Sequence, residues 1–123
     1  IVPKRRSAGL TSAAYKASAG AVEYVPVARV SNITETLKEL KKRGLWIYGL
    51  DMEGESWCSV DLTGAAALVV GSEGRGISRL VSEQCDFRLS LPMRGRISSL
   101  NASVACGIVL YEAARQRLGL GVK

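Results

Sequence analysis

Two polar loops hold the residues of this chain that could do chemistry. The first is Gly71-Ser-Glu-Gly-Arg-Gly-Ile-Ser78, and the second is Leu91-Pro-Met-Arg-Gly-Arg-Ile-Ser-Ser-Leu-Asn101. Each stands between an apolar strand-like run and a helix-like run, which is where ligands bind in an open α/β sheet. The glycines of the first loop let backbone approach a ligand closely. That loop matches neither GxGxxG nor a Walker lysine loop, and Glu73 at its centre disfavours a phosphate. Taken alone, a simple turn and a ligand site both fit it. In the second loop Ser98, Ser99 and Asn101 crowd the start of a helix. One or two of them serve as N-caps. The surplus, beside Arg94 and Arg96, reads as a polar pocket with a cationic rim.

The elements that position these loops alternate between strand and helix. Ile1-Val2 reads as the end of a strand, Thr11 to Ala21 as a helix, and Val25 to Val30 as a short strand. Asn32 and Glu35 have capping-box spacing, Ile33, Leu37 and Leu40 share one face, and Gly44 stands at a C-cap position. Lys38, Lys41, Lys42 and Arg43 form the outer face of that helix. Trp46 to Leu50 is the next strand. Asp51 to Leu62 reads as a polar connection whose acids, Asp51, Glu53 and Glu55, fit a surface turn better than a metal or acid–base pair. Ala65 to Val70 has the continuous apolar character of a buried parallel strand. Ser78 to Gln84 is a short helix, Phe87 to Leu91 the last strand, and Leu100 to Leu118 a long helix. The fold class is therefore α/β, a mainly parallel sheet of four or five strands with helices on both faces.

Composition sets the boundaries. The chain has 123 residues, enough for one domain, and 47% of them are hydrophobic but only 6% aromatic, so the core is aliphatic. No apolar run approaches the roughly 20 residues of a membrane span. The net charge is +6 and arginine outnumbers lysine. A polyanionic partner fits this balance, as does a plain solvated surface. The three cysteines, Cys58, Cys85 and Cys106, show no CxxC spacing and suit a reducing cytoplasm better than a disulfide framework or a zinc site; Cys106 reads as a core filler. The chain has no histidine, which excludes Ser-His-Asp triads and HExxH metal sites within it.

Val69 to Ser78 and Leu91 to Ala105 resemble the second and third motifs of the SpoU (TrmH-type) RNA ribose 2′-O-methyltransferases. Arg6-Ser-Ala-Gly-Leu-Thr11, Lys16 to Ala21 and Val25 to Val30 resemble that family too, most closely the branch acting on a guanosine of large-subunit ribosomal RNA. The resemblance covers nearly the whole chain. It implies a methyltransferase domain over residues 1–123 whose C-terminal segment forms a deep trefoil knot. It also implies S-adenosyl-L-methionine as cofactor, held near Gly49, Gly71, Leu91, Met93 and Leu100.

By the same resemblance Asn101 and Ser99 would orient substrate or cofactor, and Glu73 would hold the active-site loop or the cofactor side. Arg5, Arg6, Arg94 and Arg96 would meet RNA. A homodimer would form through the last helix, with Ala102, Ala105, Ile108 and Val109 suited to its packing. The family's Asn-x-Gly-x-x-x-Arg motif has no counterpart here, and the chain is expected to begin after it. Two alternatives stand beside ribosomal RNA methylation: a catalytically incomplete RNA-binding dimer of the same fold, and tRNA as the substrate.

Overall fold

The computed structural model describes residues 1–4, 10–72, 75–96 and 101–121. They divide into two compact units, Ile1–Thr36 and Leu37–Lys123.

In the first unit β1 (Val2–Pro3) pairs in parallel with β2 (Arg29–Val30), Val2 opposite Arg29. Helix α1 (Ser12–Ala17) begins where Thr11 Oγ1 accepts the Ala14 amide at 3.2 Å. It is shorter than the sequence pattern predicts. Ala19 and Gly20 take left-handed φ values of 53° and 82°, which end the helix, and a separate 3-10 turn follows at Ala21–Glu23. The strand expected from Val25 pairs only at Arg29–Val30. Pro26 has no N–H to give a ladder, and Tyr24, Val25 and Val27 stay exposed.

Helix α2 (Ile33–Lys42) is as the sequence pattern predicts. Asn32 Oδ1 accepts the Glu35 amide at 3.1 Å, Leu37 is buried, and Gly44 turns the chain out with φ 91°.

The second unit contains β3 (Trp46–Ser56), β4 (Ala66–Val69), α3 (Arg79–Ser82), β5 (Phe87–Ser90) and α4 (Ala102–Leu118). All three strands are parallel, in the order β4-β3-β5. Among the described residues the strands pair as a two-stranded and a three-stranded sheet, where one sheet of four or five was expected. The core of this unit is Tyr48, Leu62, Leu89 and Val109, so α4 covers the face that carries Tyr48 and Leu89. Burying each aliphatic side chain contributes about 1.5–3 kcal/mol. The Tyr48 ring stacks on Phe87 at 5.2 Å, and its hydroxyl donates to the Asp61 carbonyl at 2.7 Å. Burial and the nearby Asp61 and Asp86 charges push the Tyr48 phenol above its ordinary value.

The inward side of α4 is apolar at Val109 and polar one turn on, at buried Glu112. Below it, Gln116 Nε2 donates to the Val60 carbonyl at 3.0 Å, and Gln116 Oε1 accepts the Leu62 amide at 2.7 Å. Arg117 Nε and NH2 donate to the Leu62 and Gly64 carbonyls at 3.0 and 2.7 Å. The irregular segment before β4 therefore satisfies its main chain on side chains of the last helix. Gly64 lies just upstream of β4, so α4 runs back against the strand direction and its start lies toward their C-terminal ends.

Candidate functional site

The parallel register fixes where the two loops emerge. Gly49 of β3 stands opposite Val69 of β4 and Arg88 of β5. Since β4 ends at Val69 and β5 at Ser90, the loops beginning at Val70 and Leu91 leave the same edge of the sheet, on either side of β3. Two strand spacings, about 10 Å, separate them across the sheet, and Leu91 lies about 7 Å further along than Val70, a span within reach of one nucleoside-sized ligand. The chain passes from β3 to β4 on one side, then crosses to β5 on the other, which makes this edge a topological switch point.

The first loop is pinched at its base. Ser72 and Gly76 exchange main-chain hydrogen bonds, 3.2 and 2.8 Å. Gly76 takes φ 68°, and a Cβ on Gly71 would collide with the Gly76 carbonyl. Both glycines are thus required by the turn itself. Glu73 lies outside the described residues, as do Ser99, Leu100, Arg5 and Arg6.

Of the second loop, Leu91 and Met93 are half-buried, while Arg94 and Arg96 are exposed, and Gly95 takes φ 96°. Asn101 caps α4. Its Oδ1 accepts the Ser103 amide at 2.9 Å, the Val104 amide at 3.4 Å and the Ser103 hydroxyl at 2.5 Å. Gly49 has a packing role that the sequence did not suggest: a Cβ there would lie 2.7 Å from Cys85 Sγ and 3.0 Å from Ile77 Cδ1.

Two readings of the sequence are corrected here. Asp51 to Gly54 stand out of the ladder, with Met52 and Glu53 exposed, as a surface turn would, but the strand does not end there: β3 resumes, with Glu55 opposite Leu89 and Ser56 opposite Ser90. The sequence concealed this because pairing runs through the main chain, which polar side chains do not record. Val109, expected at a subunit interface, is 2% exposed within this chain's own core. The outward apolar residues of α4 are Val104, Leu110, Tyr111 and Leu118. The Glu112, Gln116 and Arg117 anchors were also missed. Their signal was a helical wheel, which puts Glu112 and Gln116 on the stripe of Val109.

A cavity of about 560 Å³ opens beside α3 and the start of β5, where Arg79 and Arg88 are balanced by Glu83 and Asp86. Burial raises the Cys85 and Cys106 thiols above their ordinary values; Cys106 is half-buried and not a full core residue. Hydrogen bonds from Thr63 lower Asp61. Among the described residues no group of His, Cys, Asp and Glu side chains gathers to hold a metal, and no helix is long and apolar enough to cross a membrane.

Comparisons with known proteins agree with this layout. Residues 1–111 match the SpoU rRNA Methylase family. A Bacillus subtilis (strain 168) protein assigned to the TrmH family of tRNA/rRNA methyltransferases is 51% identical over 122 residues, 98% of this chain and 49% of that protein. The chain thus spans about half the length of the curated relatives it matches. Among solved structures, an A. aeolicus TrmH/SpoU tRNA modifying enzyme is 36% identical with a TM-score of 0.83, covering 96% of this chain and 59% of that one. The SpoU methyltransferase AviRb from Streptomyces viridochromogenes, in complex with the cofactor AdoMet, is 29% identical with a TM-score of 0.86, covering 96% and 49%. The chain belongs to the SpoU rRNA methylase family.

Proposed function

We propose that this chain forms the cofactor-binding and catalytic part of an RNA ribose 2′-O-methyltransferase, acting in the cytoplasm on a guanosine of large-subunit ribosomal RNA. The observation that carries this reading is the exit of both motif-bearing loops from one edge of a parallel sheet, about 10 Å apart across β3. The fit to S-adenosylmethionine rests on what that edge offers. It has a glycine turn too tight for side chains at Gly71, half-buried Leu91 and Met93 for an apolar ring, and a helix start at Asn101. Gly49 and Leu100 complete the proposed cofactor contacts, with the C-terminal segment in a trefoil knot.

Bound there, S-adenosylmethionine supplies a methyl group on a sulfonium. A ribose hydroxyl is a poor nucleophile, so the residues of the chain have to orient it and assist loss of its proton. Asn101 and Ser99 hold that hydroxyl in line, Glu73 fixes the glycine loop, and Arg94 and Arg96, with Arg5 and Arg6, take RNA phosphates. A homodimer forms along α4. Val104, Tyr111 and Leu118 repeat every seven residues down one exposed side of that helix, the spacing of a helix-packing seam.

Incubation of the full-length protein with methyl-labelled S-adenosylmethionine and unmodified ribosomal RNA or tRNA transcripts tests the reading. Label at a ribose 2′-oxygen of one guanosine is expected in the ribosomal transcript. Label only in tRNA moves the substrate to tRNA. RNA binding with a steep salt dependence and no label in either replaces the enzyme with a binding module.

A further inference from the structure

The switch-point edge has a third contributor besides the two loops. In the order β4-β3-β5, whatever binds between the ends of β4 and β5 lies over the part of β3 just past Gly49, the partner of Val69. There β3 is irregular. Leu50 and Glu55 both stand opposite Leu89, so Asp51 to Gly54 are extra residues pushed out of the ladder beside the last residues of β5.

The excursion is firmly built. Asp51 Oδ1 accepts the Glu53 amide at 3.0 Å, and Asp51 Oδ2 faces Arg88 NH1 at 3.5 Å. Ser90 Oγ donates to the Gly54 carbonyl at 2.9 Å, and the Trp57 amide donates to the Ser90 carbonyl at 3.0 Å. A Cβ on Gly54 would stand 2.7 Å from the Leu89 amide nitrogen and collide with the Arg88 carbonyl, so the bulge is pressed flat against β5. The one large apolar side chain it carries, Met52, is 65% exposed and contributes nothing to the core. The only other methionine, Met93, follows the end of the adjacent strand β5 and is half-buried. Met52 in the bulge of β3 and Met93 just after β5 each carry a soft, polarizable side chain of the kind that suits the face of an aromatic ring.

We propose that Met52 is a purine-binding residue of this site, its thioether lying against a purine ring bound over the bulge of β3, with Met93 as the second thioether. This rests on the methyltransferase reading above, which supplies two sources of a purine: the adenine of S-adenosylmethionine and the target guanosine of the RNA. An apolar rim recognises the shared flat face of either; it confers affinity and moves no proton.

The test uses the full-length protein with Met52→Ala and Met52→Leu, together with S-adenosylmethionine, S-adenosylhomocysteine and unmodified ribosomal RNA. Because Met52 is exposed, both variants are expected to unfold at the wild-type temperature. Met52→Ala weakens calorimetric binding of S-adenosylmethionine and S-adenosylhomocysteine equally, roughly three- to tenfold, and Met52→Leu restores it to within about twofold. That pattern assigns the adenine. A rise of the same size in the KM for RNA, with cofactor binding unchanged, assigns the target base. Wild-type affinities throughout for Met52→Ala overturn this inference alone. A wild-type protein that binds neither S-adenosylmethionine nor RNA overturns the proposed function itself.

Discussion

Arg115 grips Glu112 with two hydrogen bonds, Nε to Oε2 at 2.9 Å and NH2 to Oε1 at 2.6 Å. Glu112 is the buried charged residue of α4, and Gln116 Nε2 adds a third donor at 3.0 Å. These bonds hold the carboxyl well below its ordinary value of 4.5, at about 2. A depressed carboxyl adds stability that is complete above the unfolded-state value and is lost as pH falls through the folded-state value. Urea midpoints are therefore expected to fall between about pH 4.5 and pH 2. Glu112→Gln should flatten that decline and cost about 1–3 kcal/mol at neutral pH. An unchanged pH profile in this variant would show that another group carries the acid sensitivity.

Gln116→Ala removes both side-chain bonds to the segment before β4. It leaves the Leu62 amide and the Val60 carbonyl without their partners, at a cost of about 1–3 kcal/mol. Hydrogen exchange should locate the loss, with faster exchange at Leu62 and little change in α2. Uniform acceleration over the whole unit would instead mean that the effect is global.

Gly71→Ala places a methyl group against the Gly76 carbonyl. The Ser72–Gly76 pair has to open, and overpacking of this kind costs about 1–3 kcal/mol. Cofactor affinity, measured by calorimetry on full-length protein, should drop more steeply than the unfolding midpoint. Intact affinity would free the glycine turn from any part in binding.

Asn101→Ala takes away the α4 cap, which costs about 1 kcal/mol. On the proposed reading, turnover should decrease far more than RNA affinity. Equal loss of both, in proportion to the lost stability, would leave Asn101 a helix cap and nothing else.

Arg94→Ala and Arg96→Ala, both at exposed positions, should weaken RNA binding and lower the salt slope by about one for each phosphate no longer neutralised. A slope equal to that of the wild type would place both side chains away from the RNA backbone.

The strands and helices that frame the site were legible because their side chains carry the pattern. Ala66–Val69 is apolar without interruption, and Asn32, Glu35 and Gly44 punctuate α2 at both ends. What the sequence hid is main-chain business. Asp51-Met-Glu-Gly-Glu-Ser56 alternates no apolar face, yet after the bulge β3 pairs again at Glu55 and Ser56, where Ser90 Oγ donates to the Gly54 carbonyl and the Trp57 amide donates to the Ser90 carbonyl. The short β2 is the converse case: Val25 and Val27 favour a strand, but their neighbours offer no ladder and both stay exposed. In the site, the two loops were recognisable from glycine and capping residues, whereas the packing demand on Gly49 depends on Cys85 and Ile77 arriving from α3 and its flanks.

The amide of Gln116 offers a donor on one side and an acceptor on the other, matched to the Val60 carbonyl and the Leu62 amide. Sliding the last helix by one turn would bring Glu112 or Leu120 to that place, and neither can answer both groups. The helix is in effect keyed: it seats at a single depth along the sheet. Fifteen residues earlier, about 22 Å away at 1.5 Å per residue, that key sets how far Asn101 stands above the strand ends.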